Sequence, residues 1–109
     1  MTSPDEKQPP MPAMPPMSDA VLDDAALACL FRDIGELAQV DEIIIKHRPG
    51  HVNDAQQVTL KEAHDLIRSR QVKGVQIRYR HDGAHWWDTL MPIGEGVRLV
   101  RVRHDFPPR

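Results

Sequence analysis

Leu27, Leu30, Phe31, Ile34, Leu37 and Ala38 recur at three- and four-residue intervals, the spacing of one apolar helix face. The pattern predicts a first helix over DAVLDDAALACLFRDIGELAQ, with Ser18 or Asp19 as its N-cap. Asp19, Asp23 and Asp24 would then favour the positive end of the helix dipole. Cys29 lies near the stripe and reads as a small core residue. Asp41–Arg48, DEIIIKHR, carries three consecutive isoleucines and reads as a central buried strand. Pro49-Gly50 stops it. Thr59 and Glu62 have the spacing of a capping box. They open a second helix to about Arg70, with Leu60, Ala63 and Ile67 inward.

After Gly74 the period changes to two, the period of strands with one buried face. VQIRYRH, AHWWDTLMP and VRLVRVRH read as three strands of a meander. Asp82-Gly83 is a signal for a two-residue type I′ hairpin. The expected fold class is α+β: a two-layer α/β sandwich, order α-β-α-β-β-β, with a four-stranded mixed sheet and two helices on one face.

The Asp82-Gly83 turn sets a register. His81 faces Ala84, Arg80 faces His85, Tyr79 faces Trp86, Arg78 faces Trp87, Ile77 faces Asp88 and Gln76 faces Thr89. Trp86 then points to the core and Trp87 to the outer face. Asp88 falls on the apolar side and needs a partner, such as Tyr79, a backbone N–H or a helix residue. The next turn is open to two lengths. A three-residue loop, Gly94 to Gly96, sets Val100 opposite Leu90 and sends Arg101 and Arg103 to the outer face, opposite Thr89 and Trp87. A two-residue loop sends both arginines toward the core, which is costly unless each is paired. The three-residue loop is therefore expected.

Composition fixes the scale. The chain has 109 residues, 40% hydrophobic and 28% charged, enough for one domain with one modest core. Residues 1–17, with Pro4, Pro9, Pro10, Pro12, Pro15 and Pro16, read as a disordered tail. Residues 18–106 read as a single domain and 107–109 as a C-terminal tail. No apolar run approaches the roughly 18 residues of a membrane span, and no secretory signal pattern opens the chain. The single cysteine excludes an internal disulfide framework. A cytoplasmic location is the expectation. Net charge is −2, but it is split: residues 1–67 are acidic and residues 68–109 basic. The split suits either an anionic partner or mutual compensation within the fold.

These features select one candidate surface. Arg78, Arg80, His85, Trp87, Arg101 and Arg103 would form a cationic sheet face with an aromatic centre, with Arg78 and Arg103 flanking Trp87. Such a face suits a protein or acidic partner, or single-stranded nucleic acid. The other reading is arginine stems shielding one exposed sheet face. His47/His51 and His81/His85 recur at four residues but lack a helical HExxH context. Met11, Met14 and Met17 recur every three residues, the period of polyproline II, and thioethers suit Cu(I). An incidental run in a Pro-rich tail accounts for them better. PMPAMPP also holds a P-x-x-P spacing. Patterns for a GxSxG elbow, a P-loop or GxGxxG do not occur. The expected function is a small non-catalytic accessory or interaction module, monomeric or homodimeric, needing no cofactor or metal. Its partner would be a protein or acidic segment, with nucleic acid as the alternative.

Overall fold

The computed structural model describes residues 17–47 and 57–104. The elements are β1 (Met17–Leu22), α1 (Asp24–Leu37), β2 (Gln39–Lys46), α2 (Leu60–Arg68), β3 (Gly74–His81), β4 (Ala84–Ile93) and β5 (Gly96–His104). The strands form one sheet in the order β1-β5-β4-β3-β2, and every pairing is antiparallel. Both helices cover the same face. This corrects the expected four-stranded mixed sheet: there are five strands and no parallel pair.

Two readings caused the difference. The first concerns residues 17–22, which form a strand rather than the start of a helix. The N-cap is Asp23, whose Oδ1 accepts the Ala26 N–H at 2.8 Å. Asp19 instead holds Arg98 of the neighbouring strand. An aspartate three residues before an apolar run is a good cap wherever it stands, so Asp23 and Asp19 were equally eligible by type. The second concerns β2. Lys46 pairs with Gly74, and the Lys73 N–H donates to the Lys46 carbonyl at 2.9 Å. Lys46 and Gly74 thus lie side by side at one end of the sheet, as they must when β3 runs antiparallel to β2. A parallel pair would have required a crossover to the opposite end. It also puts β2 at an edge. Its three isoleucines are half-buried: Ile43 and Ile45 reach the core cluster, and Ile44 lies on the other face. They do not mark a central strand.

Both helices also end earlier than expected: α1 stops at Leu37, so that Gln39 opens β2, and α2 stops at Arg68 rather than about Arg70. Thr59 Oγ1 accepts the Glu62 N–H at 3.1 Å, and Glu62 Oε1 accepts the Thr59 N–H at 2.9 Å, the complete capping box. Arg70 adopts φ 59, a left-handed position that ends the α2 region two residues after Arg68. Leu27, Phe31 and Ile34 of α1 join Ala63 and Ile67 of α2 over Val75, Ile77, Tyr79, Trp86, Leu90, Val97 and Leu99 of the sheet. Leu37, expected in the stripe, is 54% exposed, and Cys29, expected in the core, is also exposed. The Pro-rich tail with Met11 and Met14, the Pro49-Gly50 stop, His51 and the C-terminal Phe106-Pro107-Pro108 lie outside the described residues. No helix among the described residues is long and apolar enough to cross a membrane.

α1 meets α2 through the Phe31 ring stacked on His64, with centroids 4.7 Å apart. Burial holds the His64 imidazole below its ordinary 6.5, with Arg68 adding to the effect and Asp65 opposing it. The native ring therefore stays neutral while the unfolded chain takes up a proton. Stability contributed at this site falls as pH drops through about 6.5 and levels off below the native value. His64→Phe keeps the stack and removes the proton site. It should lose less stability than the parent between pH 7 and about pH 5 in urea unfolding.

Gly96 anchors β1. A Cβ there would meet Val21 Cγ1 at 2.8 Å and Leu22 O at 2.9 Å. Gly96→Ala should cost about 1–3 kcal/mol and speed amide exchange in β1 well before β3, as read by hydrogen exchange.

Candidate functional site

The two hairpins decide which side chains share a face. Asp82 and Gly83 both have positive φ, 54 and 78, as a type I′ turn requires. Every expected β3–β4 pair is present, from Gln76 with Thr89 to His81 with Ala84. The second turn differs. Ile93 pairs with Gly96, so the loop is the two residues Gly94-Glu95. Gly94 at φ 54 supplies the positive first position of a type II′ turn. Leu90 then faces Leu99, Asp88 faces Arg101 and Trp86 faces Arg103. Arg101 and Arg103 are therefore on the helix-covered side, and the expected three-residue register is overturned.

Arg101 escapes the cost that argued against this register by landing on Asp88. Its Nε donates to Asp88 Oδ1 at 2.9 Å and its Nη2 to Oδ2 at 2.8 Å. Tyr79 Oη donates to Oδ2 at 3.0 Å, so one of the partners expected for Asp88 is present. Asp88 is fully buried, and the Arg101 side chain is 17% exposed. Burial works against the Arg101 charge, but the bonds and charge of Asp88 outweigh it and raise its pKa. Burial, followed by the Asp88 charge, pushes the Tyr79 phenol far above its ordinary 10.0, so it remains a donor. Beside this trio a cavity of about 340 Å³ opens under α1. Leu22, Leu30, Leu37 and Leu99 line it together with Cys29, Tyr79 and Arg101.

On the open face stand Arg78, Arg80, His85 and Trp87, as expected. Val100 and Val102 occupy the β5 positions assigned to Arg101 and Arg103, and His104 is the next β5 residue on this face. Trp87 pairs with Val102 and Thr89 with Val100. The Arg78 guanidinium lies 3.8 Å from the Trp87 ring centroid. From the other flanking strand His104, rather than Arg103, approaches the indole, with centroids 3.9 Å apart and planes tilted by 34°. Ile44, Trp87, Met91, Val100 and Val102 are all half-buried on this face.

The arginines here are compensated within the chain. Arg78 Nη1 lies 3.4 Å from Glu42 Oε1, and its Nε donates to Gln76 Oε1 at 2.9 Å. Gln76 Nε2 in turn donates to Thr89 Oγ1 at 3.1 Å. Arg80 forks onto Asp41 through Nε and Nη2 at 3.0 and 2.9 Å. Arg98 forks onto Asp19 at 3.0 and 2.6 Å, which lowers the Asp19 pKa. Each pair joins an acidic residue of the N-terminal half to an arginine of the C-terminal half. For these six residues, the charge split in the sequence is complementarity within the fold. His81 and His85 project from opposite faces of the hairpin, since Arg80 is the residue paired with His85. Among the described residues no three His, Cys, Asp or Glu side chains gather where an ion could be held.

Comparison with protein-family models, curated proteins and solved structures finds no match. The geometry of the two faces therefore carries the functional reading.

Asp88→Leu should strand a mostly buried guanidinium and cost about 3–5 kcal/mol. Arg101→Leu alone should also be strongly destabilising, because it leaves Asp88 buried. The double variant Asp88→Leu/Arg101→Leu should recover most of the loss. Urea unfolding of all four proteins checks this. Additive losses would show that the pair is not coupled.

Proposed function

We propose that this domain is a non-catalytic protein-binding module whose partner docks on the open sheet face around Trp87. The observation behind this reading is the make-up of that face. Trp87, Val100, Val102, Ile44 and Met91 form a half-buried centre, and three arginine–carboxylate pairs stand around it. An apolar, aromatic centre inside a satisfied polar rim is how protein interfaces are built.

The same ion pairs bear on the chemistry of the partner. An acidic segment would have to displace Glu42, Asp41 and Asp19 from the arginines it sought, so the fitting partner is a protein surface with an apolar patch. They also weigh against single-stranded nucleic acid. Phosphates would meet compensated charge, and bases would compete with Arg78 and His104 for the Trp87 indole. The disposition of buried polar groups supports a binding rather than a catalytic role. Asp88 of β4 bonds Tyr79 of β3 and Arg101 of β5, and the trio pins three strands.

A photo-crosslinking amino acid in place of Val100 should capture the partner in cells, while one in place of Lys61 on α2 should not. Against the partner so identified, Trp87→Ala should weaken binding about 30-fold or more with an unchanged unfolding midpoint. Capture from position 61 alone, or binding within about two-fold of the parent, would overturn the reading.

A further inference from the structure

We infer that β1 is a self-pairing edge, joining a second copy of this chain into a continuous ten-stranded sheet. The sheet has two edges, and they are built differently. β2 carries Asp41, Glu42 and Lys46, and its ladder shifts between Val40 and Glu42. Charges and an irregular ladder are the devices that keep an edge from pairing. β1, MSDAVL, pairs with β5 in unbroken register from Met17 to Leu22. Its one charge, Asp19, is neutralised by the fork from Arg98. Val21 is 66% exposed. Among the described residues no strand pairs with the outer side of β1, whose backbone N–H and C=O groups form a regular template.

The occupant follows from symmetry. An antiparallel pair between identical strands has its two-fold axis normal to the sheet, so each residue i meets a residue of the same face, and one residue meets its own copy. Centring on Asp19 would oppose two carboxylates. Centring on Val21 would bring Asp23 against Asp19 of the second copy and leave only Ala20–Leu22 paired. Centring on Ala20 pairs Ser18–Leu22 without a like-charge contact. Ser18 meets Leu22, Asp19 meets Val21, and Ala20 meets Ala20 across the axis. Val21 then lies between Arg98 of its own chain and Asp19 of the other, so its exposed side chain is flanked on both sides. Pro15 and Pro16 precede the strand and have no N–H to extend the ladder, which limits pairing to this short register. The pairing uses the edge and leaves the Trp87 face open, so it is independent of the proposed partner site.

The test uses the full chain. Sedimentation equilibrium should show a concentration-dependent dimer, and Trp87→Ala should leave it unchanged. In a Cys29→Ser background, Ala20→Cys should form a disulfide-linked dimer under mild oxidation at least ten times faster than Val21→Cys. Ala20 is exposed, so the substitution spares the core. A monomer at every concentration overturns the inference. A dimer in which Ala20→Cys links no faster than Val21→Cys also overturns it, because another surface would then hold the copies together.

Discussion

The buried fork between Arg101 and Asp88 is the contact on which the arrangement of both faces depends. Side chains alternate along a strand, so a one-residue slip between β4 and β5 would exchange every β5 residue between core and surface. With Asp88 opposite Arg101, Val97 and Leu99 enter the core while Val100 and Val102 join Trp87 outside. The slipped alternative would put Val100 inward and strand Asp88 without its guanidinium. A buried ion pair contributes little net stability against an apolar replacement. Its value here is specificity: it makes the wrong register far worse than the right one. Tyr79, held as a donor by burial and by Asp88, ties β3 to the same choice.

That contact also explains where sequence reasoning worked and where it failed. The Asp82-Gly83 turn has a length and type written into two residues, and all six pairs read from it are present. The Thr59–Glu62 capping box is equally local and equally legible. The Gly94-Glu95-Gly96 stretch allowed two lengths, and weighing the arginines by themselves favoured the wrong one. The cost of burying Arg101 and the need of Asp88 for a partner were visible separately. They cancel only when placed opposite each other, a non-local relation. β1 was missed for a related reason. Its six residues have no helical or strand period strong enough to stand alone. It is a strand because β5 offers an edge, Arg98 offers Asp19 a partner and Gly96 leaves room for Leu22.

Of the candidate surface, Arg78, Arg80, His85 and Trp87 were placed correctly because all four depend on the first hairpin alone. Arg101 and Arg103 depended on the second. Their replacement by Val100, Val102 and His104 changes the chemistry as well as the membership. A cationic platform becomes an apolar centre whose arginines are already engaged by Asp41, Glu42 and Asp19. The two layers thus divide their tasks. On the helix-covered side the contacts of Asp88 with Arg101 and Tyr79 fix the strands, and on the other side Trp87 stands half-buried among apolar neighbours. The edges add a third division, with β2 interrupted and charged and β1 regular and neutralised.

The most direct test of this account is the β4–β5 register in solution, read from cross-strand backbone NOEs of the labelled protein. The account predicts NOEs pairing Leu90 with Leu99 and Asp88 with Arg101, with Ile93 and Gly96 closing a two-residue turn. Pairing of Leu90 with Val100 and Thr89 with Arg101 would contradict it. It would return the arginines to the open face and remove the contact on which both faces rest.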